Sequence, residues 1–304
     1  MKIAILGPGG VGGLLAGVLE RAGSDVVIVA RDSTAETIST NGLQVSSVMF
    51  GDLTTHPRAV ARLEEPVDAL IVATKAAGLA AALERIAVSP PVVLPLLNGL
   101  DHLTVLRERF GSGAVLAGSI RVEADRPQAG VIVHSSPFLL VDMAACDAAA
   151  APLMQQLADA LSAADVPVRV LGSEAEVMWS KLVRLNALAC TTSAYDKLLG
   201  EIRSTPELRA DLVGAIEEAC AVGRAEGADD VDAERAIGEL ELAHATLGSS
   251  MQRDIAAGRA PELDAIPGSV LRAAERHGLS CPTIERLVRM IEARIAGAPA
   301  PTLA

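Results

Sequence analysis

Only four lysines occur in this chain of 304 residues, and one of them stands inside an apolar helical pattern. The four are Lys2, Lys75, Lys181 and Lys197. Lys181 falls in residues 177–188, which are apolar on nearly all sides and therefore predict a buried helix. Because burial disfavours the charged form of an ammonium and lowers its pKa, a lysine in such a helix suits proton donation to a substrate. A lysine that reaches the surface, or that pairs with a structural carboxylate, is the alternative.

A glycine-rich run near the start of the chain has the pattern of a phosphate-binding turn. Gly7-Pro8-Gly9-Gly10-Val11-Gly12 fits G-x-G-x-x-G, directly after a short strand pattern and at the start of an amphipathic helix. In such a turn the first glycine makes the tight bend, the second lets the backbone approach a pyrophosphate, and the third lets the helix pack close to the strand. The helix N-terminus then offers N–H donors to the phosphates. The run predicts a dinucleotide site, with a plain tight turn as the alternative.

Arg31 follows the second predicted strand, where a site that prefers NAD usually carries an acidic residue. A guanidinium at this position pairs with the 2′-phosphate of NADP, so the sequence favours NADP(H) as the cofactor. A solvated surface arginine is the alternative, and the neighbouring Asp32 could still accept a hydrogen bond from a ribose hydroxyl.

Lys75 and Asn98 each follow an apolar run that is predicted to be a strand. In open α/β sheets the ligand lies outside the carboxyl ends of the strands, so both side chains are predicted to line the cofactor site. Taken singly, Asn98-Gly99 is also a common turn dipeptide.

The alternation of apolar runs predicts an α/β fold, with an N-terminal Rossmann-type doubly wound sheet and a C-terminal all-helical domain. Short β-branched runs at residues 3–6, 26–30, 69–73 and 92–96 alternate with helical patterns, which is typical of a parallel sheet covered by helices. Residues 131–134 and 138–141 are predicted to form a hairpin on the sheet edge, and residues 148–163 a further helix.

From Ser173 onward the strand patterns disappear. Ser173 with Glu176 forms a capping box, and Thr205-Pro206-Glu207 marks another helix start. Helices are predicted to about Ile295, and the prolines at 299 and 301 predict a frayed end. We therefore predict two domains: residues 1–172 bind NADP, and residues 173–304 carry substrate binding and catalysis.

The composition argues against nucleic acid, membrane and metal partners. The formal net charge is −12, and one Trp, one Tyr and three Phe leave little for base stacking. No apolar stretch reaches the roughly 18 residues of a membrane helix, and the apolar start is too short for a signal peptide. The cysteines at 146, 190, 220 and 281 form no C-x-x-C or Cys/His cluster. We expect a cytoplasmic protein with reduced thiols, no metal site and a small-molecule partner.

Together these segments resemble the ketopantoate reductase family, the 2-dehydropantoate 2-reductases, over nearly the whole chain. The specific parts are Ser249-Ser250-Met251-Gln252-Arg253-Asp254-Ile255 and, at the family's spacing, Glu262-Leu263-Asp264. The resemblance implies a Rossmann domain, a helical second domain, catalysis in the cleft between them, and a place in pantothenate biosynthesis. It also implies the reaction, in which hydride from NADPH reaches the ketone carbon of a 2-oxo acid while Lys181 protonates the oxygen.

The resemblance also implies residue roles. Lys181 matches the general acid, Glu262 the carboxylate that orients this lysine and contacts the ligand, and Ser250 the hydroxyl that holds the substrate carboxylate. Asn98 matches an amide near the nicotinamide and the substrate. From the residues alone, Glu262 would be a helix-start residue and Ser250 a surface serine.

The chain departs from the family pattern where the substrate is held. Leu185 and Ala189 stand four and eight residues after the lysine, where the pattern has asparagines, and Asn186 is one position off. Leu247 and Pro267 also stand where asparagines are common. The resemblance implies ketopantoate, which yields pantoate, as the substrate. The loss of amides predicts a less polar pocket, which favours a close but less polar analogue.

Two other functions are left open. One is an NADP-binding regulatory protein without turnover, because the substrate amides have changed while the glycine run is intact. The other is a two-domain dehydrogenase with a different carbonyl substrate. The oligomeric state is open as well, with a homodimer among the options.

Overall fold

The computed structural model describes residues 1–297 and divides into two compact units. The first unit comprises Met1–Leu97 and His102–Val177, and the second comprises Asn98–Asp101 and the chain from Met178 onward. The predicted frayed end around residues 299 and 301, with the last seven residues of the predicted second domain, lies outside the described residues. The assignment of NADP binding and catalysis to residues 1–172 and 173–304 stays a prediction.

The strands of the described chain all belong to the first unit. They are β1 (Lys2–Leu6), β2 (Asp25–Val29), β3 (Leu43–Ser47), β4 (Gly51–Thr55), β5 (Arg58–Val60), β6 (Ala69–Val72), β7 (Val93–Pro95), β8 (Ala117–Arg121), β9 (Ala124–Gln128), β10 (Val131–His134), β11 (Leu140–Ala144) and β12 (Val168–Val170). Five of them form a parallel sheet in the order β5-β2-β1-β6-β7. Ile3 pairs with Val26 on one side and Ala69 on the other. The predicted doubly wound sheet is confirmed, because the strand order reverses at β1.

The predicted hairpin between residues 131–134 and 138–141 is wrong. β10 pairs with β3 and β9 in a four-stranded sheet, whereas β11 pairs with β8 and β12 in a three-stranded sheet. Between them, the Ser136 hydroxyl donates to the Phe138 carbonyl and accepts from the Glu123 N–H, which holds the link in an irregular conformation. The antiparallel partner of β10 is the preceding strand β9, whose exposed polar residues gave no strand pattern.

The first unit also contains helices α1 (Gly10–Arg21), α2 (Asp32–Asn41), α3 (Leu79–Leu83), α4 (His102–Phe110) and α5 (Ala151–Ala163). Leu14, Leu15 and Val18 of α1 are fully buried in one core with Ile3 and Ile5 of β1. The helix predicted over 148–163 is α5, preceded by a short 3-10 turn at Ala148–Ala150.

The second unit is helical, as predicted. It contains most of α6 (Glu174–Tyr195), followed by α7 (Leu199–Ser204), α8 (Pro206–Ala225), α9 (Ala233–Leu242), α10 (Ser250–Ala256), a π-helical turn (Asp264–Gly268), α11 (Ser269–Arg276) and α12 (Pro282–Ile295). Helix α8 contacts α7, α9, α11 and α12, so it forms the centre of this unit. Both helix-start predictions hold: Ser173 Oγ accepts from the Glu176 N–H at 3.1 Å, and Thr205 precedes the proline that opens α8.

Candidate functional site

Three of the predicted site residues meet in the second unit. Lys181 Nζ donates to Asn98 Oδ1 at 2.8 Å, and Asn98 Nδ2 donates to Glu262 Oε2 at 2.9 Å. An ammonium only donates and a carboxylate only accepts, so the two partners determine the orientation of the amide between them. We call these three residues the Lys181 cluster. It connects a cation to an acid through a neutral amide.

Helix α6 holds Lys181 because the residues around it are buried. Trp179 is 1% exposed and packs on Gly223 of α8, where an added Cβ would lie only 3.1 Å from the indole ring. Leu182 and Val183 are also buried, whereas Lys181 itself is partly buried. The apolar helix predicted from the sequence is therefore present, and its packing fixes the backbone from which the lysine extends.

Asn98 is placed by the short loop Asn98–Asp101. Gly99 in this loop has φ +84, and a Cβ there would lie 2.0 Å from the backbone oxygen of Ala265. A glycine is required on both counts, since other residues rarely adopt this backbone and would overlap with Ala265. Asn98 and Glu262 are 164 residues apart in sequence. The close approach of Gly99 to Ala265 lies beside their hydrogen bond.

The arrangement of the Lys181 cluster is suited to proton transfer. An ammonium can give a proton to an oxygen on which negative charge develops, which is the task of a general acid. The hydrogen bond to Asn98 Oδ1 holds the Lys181 ammonium in place. Glu262 in turn holds the amide, so the partner of the ammonium is kept in one orientation.

Ser250, the predicted substrate-binding hydroxyl, is the first residue of α10 and is exposed. The adjacent Ser249 is buried instead: its hydroxyl accepts from the Gln252 N–H at 3.0 Å and bonds with Thr192 Oγ1 at 2.8 Å. Ser249 therefore serves as the helix cap. The role of Ser250 in substrate binding stays a prediction.

The positions that depart from the family pattern lie on α6 after Lys181. Leu185 is partly buried and Ala189 is fully buried. Asn186 is also fully buried, and its Oδ1 accepts a long contact of 3.5 Å from the Cys190 thiol. Since 3.6 residues make one helical turn, Leu185 is the residue one turn beyond Lys181 on the same side of the helix.

In the first unit, the glycine run forms the turn between β1 and α1. Gly7 has φ +93, and a Cβ on Gly12 would lie 2.2 Å from the Gly7 oxygen, so the helix packs tightly on the turn. Pro8 is buried, and Gly10 and Val11 open α1. At Gly9, by contrast, the nearest atom to an added Cβ is 4.0 Å away. The backbone at Gly9 is therefore open to a ligand, as the second glycine of the motif predicts.

Two further features of this turn fit the phosphates of a dinucleotide. Thr74 Oγ1, beside Gly7, is buried and has no hydrogen-bond partner in the described part of the chain. Buried hydroxyls are nearly always paired, so a ligand atom would suit this position. The first turn of α1 carries no acidic residue, so its positive end is not neutralised. No role was predicted for Thr74 from the sequence.

Arg31 lies at the carboxyl end of β2, where it is exposed and precedes α2. The neighbouring Asp32 carboxylate pairs with Arg85 Nη1 at 3.4 Å, and the same nitrogen donates to the Ala61 carbonyl at 3.0 Å. Sequence reasoning missed Arg85, because nothing near it in the chain marks it as a neighbour of β2. Lys75 directly follows Thr74 and is exposed at the start of a short 3-10 turn.

Residues 1–297 contain no group of three His, Cys, Asp or Glu side chains arranged to bind a metal ion. Over the same residues, every helix is too short or too polar to span a membrane.

Two family models match the chain. The model described as ketopantoate reductase PanE/ApbA matches residues 3–141, and the model of its C-terminal part matches residues 175–295. A 2-dehydropantoate 2-reductase of Mycobacterium tuberculosis is 31% identical, over 97% of this chain and 98% of that protein. An uncharacterized oxidoreductase of Bacillus subtilis, YkpB, is 29% identical, over 94% of this chain and 96% of that protein.

Among solved structures, D-mandelate dehydrogenase with NADH and anilino(oxo)acetate superposes with a TM-score of 0.88. The match covers 97% of this chain and 99% of that one, at 21% identity, and it shows a shared fold.

Proposed function

The chain belongs to the ketopantoate reductase PanE/ApbA family, and we propose that it reduces the ketone of a small 2-oxo acid with NADPH. Members of this family are NAD(P)-dependent oxidoreductases that act on CH–OH groups. The observation that carries the proposal is the Lys181 cluster, in which an ammonium is held by an amide and a carboxylate.

The proposed reaction assigns one task to each residue of the cluster. Lys181 donates its proton to the ketone oxygen as negative charge develops there, and regains a proton from solvent after the product leaves. Asn98 holds the ammonium, and Glu262 holds Asn98. Ser250 is proposed to bind the substrate carboxylate. When bound, NADPH supplies the hydride that reaches the ketone carbon, so carbon and oxygen together gain one hydride and one proton.

The cofactor is proposed to bind the first unit. The open backbone at Gly9 and the unpaired Thr74 hydroxyl suit the pyrophosphate, with α1 directing its N–H groups toward it. Arg31 is proposed to pair with the 2′-phosphate, and Lys75 and Asn98 to contact the cofactor as well. Arg31 stands where an NAD site usually carries an acidic residue, and this supports NADP over NAD.

The proposed substrate is ketopantoate or a close analogue with a less polar side chain. Leu185 and Ala189 offer no hydrogen bond one and two turns beyond Lys181. A hydroxylated substrate would leave its own hydroxyl unpaired against such residues, which disfavours it relative to an apolar analogue.

Consumption of NADPH, followed by its absorbance, tests the proposal with ketopantoate and with 2-oxo acids that carry branched aliphatic or aromatic side chains. Turnover of one or more of them supports the reaction, and the ranking of kcat/KM identifies the side chain. Binding of NADPH without turnover of any 2-oxo acid would contradict the proposal and favour a regulatory protein.

The cofactor assignment is tested by Arg31→Ala with Arg62→Ala as the matched control, since Arg62 is also an exposed arginine of the first unit. Loss of a charge-assisted hydrogen bond predicts an NADPH affinity weaker by about 10- to 100-fold, with NADH affinity unchanged. Equal losses for both cofactors would contradict the role of Arg31.

A further inference from the structure

Arg272 connects the loop that carries Asn98 to the segment that carries Glu262. Its Nη2 donates to Asp101 Oδ2 at 2.6 Å and to the backbone oxygen of Asp264 at 2.9 Å, while its Nη1 donates to Asp264 Oδ1 at 2.7 Å. Asp101 follows Asn98 by three residues, and Asp264 follows Glu262 by two. The guanidinium therefore spans the same two segments that the Asn98–Glu262 hydrogen bond joins.

The backbone brings these segments together at a third point, the approach of Gly99 to the Ala265 oxygen. By its contacts the loop Asn98–Asp101 belongs to the second unit, although the residues on either side of it in sequence belong to the first. The contacts that join the loop to the Glu262 segment include a hydrogen bond, a backbone approach and the ionic link through Arg272.

The ionic link through Arg272 fixes the relative position of two segments more than it stabilises the fold. The side chains of Arg272, Asp101 and Asp264 are 40%, 51% and 90% exposed, and exposed ion pairs stabilise a fold only slightly. A guanidinium, however, carries several donors in one rigid plane, so it can hold two carboxylates in a fixed relation, which the single ammonium of a lysine cannot do.

We infer that Arg272 is a positioning residue, which fixes the Asn98 loop on the Glu262 segment and so holds the Asn98 amide against Lys181. Its consequence for catalysis rests on the proposed function, whereas its consequence for the Lys181 ammonium does not. If the loop moves, Lys181 loses an acceptor that favours the charged form, and the ammonium gives up its proton at lower pH.

Competitive acetylation of the lysines across a pH series, read by peptide mass spectrometry, tests this without any substrate. Only the neutral amine reacts, and a chain with four lysines gives separate peptides for each. The variants are Arg272→Ala, Arg272→Lys and Asp101→Asn. The matched control is Arg276→Ala, on the same helix and paired with Glu226 at 3.1 Å.

We expect the Lys181 profile of Arg272→Ala and Asp101→Asn to move to lower pH, because a hydrogen bond from the ammonium is weakened. Arg272→Lys should restore part of the shift, and Arg276→Ala should match the unchanged protein. Lys197, which pairs with Glu201, serves as the internal reference in every sample. A Lys181 profile that is the same in Arg272→Ala and Arg276→Ala would overturn the inference.

Steady-state kinetics add the catalytic readout. Misplacement of the proposed acid in Arg272→Ala should lower kcat at saturating NADPH by about tenfold and shift the alkaline limb of the kcat profile to lower pH. A kcat and alkaline limb equal to those of Arg276→Ala would contradict the positioning role. If the unchanged protein reduced no 2-oxo acid, the proposed function would fail, and the acetylation profiles would still decide the role of Arg272.

Discussion

Two polar clusters of the molecule contain the same kinds of group and differ in how the groups are joined. In the Lys181 cluster, a neutral amide separates the cation from the acid. In what we call the Arg107 cluster, Arg107 of α4 contacts Glu174 of α6 directly, and the Cys146 thiol donates to the Glu174 carboxylate at 3.0 Å. Burial alone would raise the pKa of Glu174, but the hydrogen bonds from Arg107 and Cys146 outweigh it, and this pKa lies below its ordinary value.

The difference separates a structural cluster from one that can do chemistry. A guanidinium keeps its proton at any physiological pH, so Arg107 can compensate Glu174 but cannot act as an acid. An ammonium can release its proton, and an amide partner holds it without neutralising its charge. Charge alone therefore does not show whether a cation–acid pair has a structural or a chemical role. The acidity of the cation and the group that lies between the partners are better indicators.

The largest expected effect is the loss of the proposed general acid, Lys181. Lys181→Ala should lower kcat for 2-oxo acid reduction by about 100- to 10,000-fold, the usual contribution of general acid catalysis. Binding of NADPH, followed by its fluorescence, should be unchanged. Lys197→Ala is the matched control, because Lys197 is an exposed lysine of the same unit.

The same assay applied to the Arg107 cluster tests whether the two clusters differ in their effect on kcat. Arg107→Ala should retain kcat within about twofold, because an ion pair that stabilises the fold by about 1 kcal/mol or less leaves the acid in place. A loss of kcat as large as that of Lys181→Ala would show that the Arg107 cluster is also part of the catalytic machinery.

The residues that bond to both charged partners provide the next test: Asn98 bonds to Lys181 and Glu262, and the Cys146 thiol accepts from Arg107 at 3.1 Å and donates to Glu174 at 3.0 Å. Asn98→Ala removes a hydrogen bond to a charged group, so kcat should fall by about 10- to 100-fold. Cys146→Ala removes the corresponding group of the Arg107 cluster and should leave kcat unchanged. Steady-state kinetics at saturating NADPH measure both, and equal losses would mean that the amide has no special role.

The fold could be predicted where local sequence patterns reflect burial. The β-branched runs of β1, β2 and β6 are buried throughout. The glycine run between β1 and α1 predicts a tight turn from its residue types alone. The edge strand β9, Ala124–Gln128, is mostly exposed, and its pairing depends on a neighbouring strand rather than on its own apolar residues. The hairpin was misplaced for this reason.

The site could be predicted only in part. The position of Lys181 in an apolar helix, in a chain with few lysines, marked it from the residues alone. Glu262, the hydrogen-bond partner of Asn98, came from the family resemblance, because a contact over such a sequence separation leaves no periodic pattern. Arg272 and Asp101 were missed, since an exposed arginine and an exposed aspartate are ordinary surface residues until the loop geometry brings them together.

The two clusters also differ in how closely other backbone atoms approach a nearby glycine. Gly99 beside the Lys181 cluster and Gly111 after Arg107 have nearly equal φ values, +84 and +85, but an added Cβ meets nothing within 4 Å at Gly111. Gly111→Ala should therefore lower the free energy of unfolding by about 1–2 kcal/mol, because alanine is strained in a left-handed backbone conformation. Gly99→Ala should cost about 1–3 kcal/mol more for its overlap with Ala265.

Urea denaturation measures both free energies of unfolding, and kcat should fall only in Gly99→Ala. Equal destabilisation of the two variants would show that the loop around Gly99 can move away from Ala265 at no cost. The comparison between a tightly placed cluster and a tolerant one would then fail.

The smallest expected effect is the pH dependence of the Arg107–Glu174 pair. Because the pKa of Glu174 is lower in the folded protein than in the unfolded chain, the pair contributes stability above the unfolded value of about 4.3. This contribution is lost as the pH falls through the folded pKa. Glu174→Gln should therefore lower the free energy of unfolding at neutral pH by about 1 kcal/mol or less, since the pair is partly exposed.

A double-mutant cycle with Arg107→Ala isolates the interaction between the two side chains from their other contacts. The coupling free energy from urea denaturation should be present at neutral pH and disappear in acid, because a protonated Glu174 no longer attracts the guanidinium. A coupling that grew as the pH fell would mean that Glu174 binds its proton more tightly in the folded protein than in the unfolded chain. The Arg107 cluster would then not be the compensated charge pair that distinguishes it from the Lys181 cluster.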